Sequence, residues 1–188
     1  GEMIKSGDGV KIQVVGINGR ILGGKSVKVF DGKHNPLDKN SLSIAIKVTL
    51  GTFQYFTAGD LSGGGNGTPD IETPIADVVG PVEVMKSNHH GSATANNPYF
   101  IGKLKPKHIV VTVGDGESNK RYHLPNSEVM SRLTALPFVL GVFQTAHGEG
   151  RKPASAFSKV QTHFGDVIIV ASPDSYSING KEYPTDGK

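Results

Sequence analysis

The sequence contains no cysteine and no tryptophan. Without cysteine there is no disulfide framework and no thiolate metal site, although this does not fix the redox compartment. Aromatic residues are 7% and are not interleaved with the basic ones, which argues against a stacking platform for nucleic acid. No apolar run approaches the ~20 residues that a membrane helix needs. The opening Gly1-Glu-Met-Ile-Lys5 lacks the basic start, apolar stretch and cleavage site of a secretory leader. The expectation is a soluble chain with no visible targeting signal. Also missing are a nucleophile elbow, a Walker loop, a dinucleotide fingerprint and zinc-ribbon spacing. The Gly63–Gly67 run lacks the Lys-Ser/Thr of a phosphate loop. A serine or cysteine nucleophile mechanism therefore has no support.

What is present suits one domain. The 188 residues are enough for a real core and too few for two full domains. With 25 glycines and 11 prolines, turns must be frequent and elements short, which excludes a coiled coil. Net charge is +3 and the basic residues are scattered. Their densest group, Lys103, Lys105 and Lys107, reads as a solvated edge or turn.

Along the chain, strands are expected at Val10–Val15, Ser26–Phe30, Ser41–Leu50, Phe53–Thr57, Val82–Met85, His108–Val113, Phe138–Phe143, Gly165–Ala171 and Ser175–Tyr183, the last with a turn at Asn179-Gly180. Leu42, Ile44, Ile46 and Val48 alternate on one face of the third. Short helices are expected at Glu72–Val79, Asn97–Leu104 and Ser127–Ala135, the last capped by Ser127 or Asn126. Ser62–Pro69 is too rich in glycine to pack a core and reads as a loop or insertion. The pattern is α/β. Residues 1–39 form an N-terminal β segment, 40–135 a core that bears the motifs, and 136–188 the terminal strands.

Several strands end in residues suited to chemistry. His89-His90-Gly91-Ser92 follows a buried strand. Adjacent side chains on an extended chain point to opposite faces, so the two histidines share a centre only if the strand has ended. Gly91 permits the turn that achieves this. Asp60 closes another strand as Gly59-Asp60 and offers a hard oxygen ligand. His123 sits in Tyr122-His-Leu-Pro125, and His108 reads as structural. Taken singly, the bland readings are a surface histidine pair and a turn aspartate.

Taken in order, the fragments Asn40-Ser-Leu-Ser43, Phe53–Asp60, Val84-Met-Lys-Ser-Asn-His-His-Gly-Ser92, Leu104–Gly114 and Tyr122-His-Leu-Pro-Asn-Ser127 resemble the second half of a metallo-β-lactamase-fold hydrolase. They are most similar to the hydrolase domain of bacterial competence (DNA-uptake channel) proteins. The resemblance covers about residues 40–133, and Gln161–Ile169 is similar to that branch's terminal strand. It implies an αββα sandwich, of which this chain supplies the C-terminal half, with a mixed sheet and short helices. It implies Asp60 and His89 as metal ligands, His90 and His123 as catalytic groups, and Asn40, Ser43 and Ser92 on the substrate side. Which of His89 and His90 ligates stays open. The metal would be Zn²⁺ or Mn²⁺, two ions in an intact domain, and the substrate a phosphodiester or nucleic acid. The sequence departs from that pattern in three places. No H-x-(H/D)-x-D-H string occurs, Leu124 is inserted between His123 and Pro125, and the loop after Asp60 is rich in glycine. The chain alone is therefore expected to be weakly active or inactive. It is expected to associate with itself or with a missing N-terminal half through a long hydrophobic sheet edge. The alternative is a non-catalytic binding or scaffold domain with a degenerate site.

Overall fold

The fold comes from a computed structural model, which describes residues 3–5, 7, 9–116 and 122–186. Its centre is a mixed nine-stranded sheet. The first strands are β1 (Met3–Lys5), β2 (Val10–Ile17), β3 (Arg20–Ile21), β4 (Ala45–Leu50) and β5 (Phe53–Thr57), all paired antiparallel. Parallel strands β8 (Val84–Lys86), β9 (His108–Val111), β10 (Gly141–Gln144) and β11 (Val160–Thr162) continue the sheet from β5. The spatial order is β1-β2-β4-β5-β8-β9-β10-β11, with β3 beside β2. All four residues of β9 are buried, as a central parallel strand covered on both faces requires.

One face carries the helices α1 (Glu72–Val79), α2 (Pro98–Leu104) and α3 (Ser127–Ala135). Register sets Phe56, Met85, Ile109 and Val142 in one buried row across this face. Ile75, Val79, Phe100, Leu104, Met130 and Leu133 pack in the same core. The opposite face presents Phe53, Val84, Val110 and Phe143. It is covered in part by the antiparallel strands β12 (Ile169–Ala171), β13 (Ser175–Ile178) and β14 (Lys181–Pro184), through Tyr176 and Ile178. The protein is thus α/β with a mixed sheet and short helices. Among the described residues no helix is long and apolar enough to cross a membrane.

Several expected elements change. Ser26–Phe30 is not a strand, because only isolated bridges form there, Arg20 to Ser26 and Phe30 to Pro36. The strand expected from Ser41 begins at Ala45, because Lys39–Leu42 closes a 3-10 turn capped by the Asp38 carboxylate. Ile44 consequently leaves the alternating face and is half exposed. The glycine-rich stretch is no loose insertion. Gly63–Gly65 (β6) pairs with Thr68–Asp70 (β7), and Leu61 and Ser62 beside it are fully buried. The strand after His108 stops at Val111, β10 starts at Gly141, and β12 starts at Ile169, each shorter than its apolar run. Among the described residues no long hydrophobic edge strand is exposed. The outer strands β1 and β11 have three residues each.

Candidate functional site

Strands β5, β8 and β9 run parallel and end side by side. Beyond their carboxyl ends lie Gly59-Asp60, the turn Asn88–Gly91 and Thr112, the edge of an α/β sheet where functional groups gather. The Gly59 carbonyl joins two of these ends. It accepts from His89 N (3.1 Å) and from Lys86 Nζ (3.0 Å).

The histidine turn is left-handed. His89, His90 and Gly91 have φ of 46°, 54° and 73°. For an L side chain this costs about 1–3 kcal/mol each and persists only where the surroundings impose it. The sense of the turn takes both histidines out of strand alternation, and their ring centroids lie 6.4 Å apart. A Cβ on Gly91 would approach Pro125 Cβ to 3.0 Å.

His90 is held at both nitrogens. Nδ1 lies 2.6 Å from the Thr112 carbonyl oxygen, and Nε2 lies 3.2 Å from Asp60 Oδ1. A carbonyl only accepts, so Nδ1 carries a proton. The hydrogen bond to Asp60 raises the His90 pKa above its usual value, and the same bond lowers that of Asp60. His89 differs. Its Nε2 is 3.4 Å from Asn40 Nδ2, and its Nδ1 is buried with no hydrogen-bond partner. Burial lowers its pKa, against the attraction of Asp60. One histidine is therefore biased toward imidazolium and its neighbour toward the neutral base. In the structure it is His90, rather than His89, that meets Asp60.

The remaining expected residues distribute unequally. Asn40 is set by the Asp38 turn, where burial pushes the carboxyl up but donors from Ser62, Asn40 N and Ser41 bring it down on balance. Ser43 follows that turn, and its Oγ faces Gly59, 3.4 Å from where a Cβ would stand. Ser92 closes the histidine turn, donating N–H to the His89 carbonyl at 2.8 Å. Asn40, His89, Ser92, Thr94, Tyr122 and Asn126 line a cavity of about 460 Å³. His123 follows Tyr122, which lines that cavity. It is exposed and lines an adjoining cavity of about 250 Å³ with Glu128 and Arg151.

One cluster was invisible in the sequence reading. Glu72, at the start of α1, is fully buried, as are Asn88 and Asn96. Its Oε1 accepts from Asn88 Nδ2 (2.8 Å) and Asn96 N (2.6 Å), and its Oε2 from Asn97 N (2.7 Å). Asn88 and Asn96 also bond each other twice, N to Oδ1 and Nδ2 to O, both at 3.1 Å. Burial pushes the Glu72 carboxyl up to about 7 against these three donors. A glutamate in a short amphipathic helix reads as solvated, and its partners lie 16–25 residues away. Only the run Asn88, Asn96 and Asn97 hinted at a buried polar network.

Asp60 Oδ1 and His90 Nε2 give one carboxylate and one imidazole donor side by side. Oxygen and imidazole donors suit Zn²⁺ or Mn²⁺, and a ring whose other N–H is fixed on a carbonyl is oriented as metal-ligating imidazoles are. Among the described residues, no three His, Asp or Glu side chains form a group able to hold an ion. The fold and this edge define an α/β protein with a polar site at the carboxyl ends of parallel strands. No protein-family model matches the chain. Over 99 residues it is 30% identical to ComE operon protein 3 of Bacillus subtilis (strain 168). The match takes in 53% of this chain and 12% of that protein's length.

Proposed function

We propose that the chain carries part of a metal-dependent hydrolase site of the metallo-β-lactamase kind, acting on phosphodiesters. The observation that carries this reading is the Asp60–His90 pair, with the His90 Nδ1 proton fixed on the Thr112 carbonyl. The similarity to ComE operon protein 3 supports the competence-type relationship. When bound, such a metal would supply Lewis-acid activation of water near neutral pH. Asp60 and His90 would hold it, and the Thr112 carbonyl fixes which ring nitrogen faces it. His89, whose pKa burial lowers, lines the cavity with its Nε2 3.4 Å from Asn40 Nδ2. Asn40, Ser92 and Asn126 offer hydrogen bonds to a substrate lying in that cavity. Ser43 packs against Gly59 and keeps the Asp60 turn in place. The full complement of ligands would be completed by a further segment or a partner half, and the chain alone is expected to turn over slowly.

Equilibrium dialysis against Zn²⁺ and Mn²⁺ tests the reading. Wild type should retain metal, and Asp60→Ala and His90→Ala should lose most of it, while His89→Ala keeps it. Hydrolysis of bis(p-nitrophenyl) phosphate should follow the same order. Retention untouched by both Asp60→Ala and His90→Ala would sink the hydrolase reading and leave the non-catalytic binding domain in its place.

A further inference from the structure

We propose that Glu72 is the positioning residue of the histidine turn, an inference that rests on the reading of Asp60 and His90 as the reactive edge. A carboxylate with no exposed surface is costly unless its oxygens are fully used. Those of Glu72 are used entirely on the chain around the turn. One donor is the side chain of Asn88, the residue directly before His89. The other two are the backbone N–H groups of Asn96 and Asn97, at the far end of the same loop. The reciprocal pair between Asn88 and Asn96 closes the ring of bonds. Arg132 Nη2, from α3, braces it from outside through the Asn96 carbonyl at 2.8 Å. Glu72 thus holds both ends of the segment that contains two left-handed histidines.

That anchorage matters because the turn is strained. Released, residues 89 and 90 would relax toward extended dihedrals, and adjacent side chains would then face opposite sides. His90 would leave Asp60 and Thr112. Glutamine at position 72 has the same shape but only one accepting oxygen. Its amide N–H groups would confront the Asn97 N–H or the two donors at Oε1. Gly63 fits the same picture. A Cβ there would stand 2.2 Å from Glu72 Oε2, so the ribbon strand β6 is bare where it crosses the anchor.

The test reads the imidazole ¹⁵N signals of His89 and His90 at one fixed pH, so it does not depend on turnover. Four chains are compared: wild type, Glu72→Gln, Asn88→Ser and Leu133→Ala. Glu72→Gln and Asn88→Ser should shift the His90 ring signals and expose its Nδ1 proton to faster exchange. Leu133→Ala, which removes core volume under α3, should leave them in place, and this separates positioning from general destabilisation. Loss of the anchor should also weaken metal retention by about 10–100-fold, the usual scale for groups that orient a ligand. Should Glu72→Gln fail to fold, Asn88→Ser breaks the same tie with the carboxylate intact. Unchanged ring signals in every folded variant that breaks the tie would overturn the positioning role, whatever their activity. Shifted signals, in a protein whose metal retention ignores Asp60→Ala and His90→Ala, would uphold the positioning role and remove only the hydrolase reading.

Discussion

Asp60 and His90 hold each other's charge, and the pH behaviour of the pair follows from that. The His90 pKa is raised in the folded chain, so its contribution is fully present below the usual imidazole value and is lost as pH rises through the raised one. The Asp60 pKa is lowered, so its contribution is present above the usual carboxylate value and is lost as pH falls through the lowered one. Between those limits the pair is ionic. Asp60→Asn should therefore bring the His90 titration down, read by NMR, and His89 in the same direction, since the attraction of Asp60 opposes the effect of burial there. A His90 titration unmoved by Asp60→Asn would show that the 3.2 Å contact does not govern its charge. At this scale the sequence was informative wherever chemistry follows from neighbours in the chain. The need for Gly91 to turn the pair was readable, because alternation along a strand forbids two adjacent histidines on one face. That His90 is the one in contact with Asp60 was not, because its ring is set by the Thr112 carbonyl, 22 residues away.

Among elements, the C-terminal strands are fastened to the sheet by a polar contact inside an apolar cluster. Tyr176 on β13 meets His108 Nδ1 at 2.8 Å, and its ring packs 5.3 Å from Phe53. Burial is the main cause that lowers the His108 pKa to about 4, with Lys107 and Lys181 adding to it. The unfolded chain, with an ordinary imidazole near 6.5, then takes up a proton that the folded chain refuses. Stability should fall on acidification from about 6.5 to about 4, by roughly 3 kcal/mol in all. Urea unfolding of wild type and His108→Asn at pH near 7.5 and near 4.5 checks this. The variant starts less stable and should lose about 2–3 kcal/mol less between the two pH values. Equal losses would acquit His108. The ribbon of β6 and β7 makes the second test. Gly63→Ala forces a methyl against Glu72 and should cost about 1–3 kcal/mol, whereas Gly32→Ala meets no atom and has no left-handed dihedral. Identical stabilities would dismiss the close approach as unimportant. Elements with a clear period were legible at their true bounds, such as Glu72–Val79 and Ser127–Ala135 with its Asn126 cap. Those decided by tertiary pairing were not. Ser26–Phe30 alternates well but finds only single bridges, and the glycine run that seemed unable to pack lies against a buried carboxylate.

For the whole molecule, the question is what the outer surfaces of the sheets do. The edges of the large sheet are short, and strands of three residues offer a poor template for pairing. Met3 and Ile4 on β1 are about half exposed, and a denser apolar group lies near β12, the outer strand of the small sheet. Ile168 and Val170 each keep 61% of their surface exposed, and Phe164 keeps 74%. Isolated apolar side chains on a surface need no explanation, but three within seven residues, beside an outer strand, favour contact with another copy. Self-association is therefore expected to be weak, dependent on concentration, and centred on β12 rather than on a long edge of the main sheet. Sedimentation velocity over a hundredfold range of concentration should show it. A lysine at position 170 puts a charge on the outer strand, the device by which natural edges avoid pairing, so Val170→Lys should reduce association without touching the core. Met3→Lys, on the outer strand β1 of the large sheet, should not. A single monomeric species throughout the range would remove β12 as a contact surface, and equal effects of the two lysines would mean that added net charge, rather than the β12 surface, sets the association.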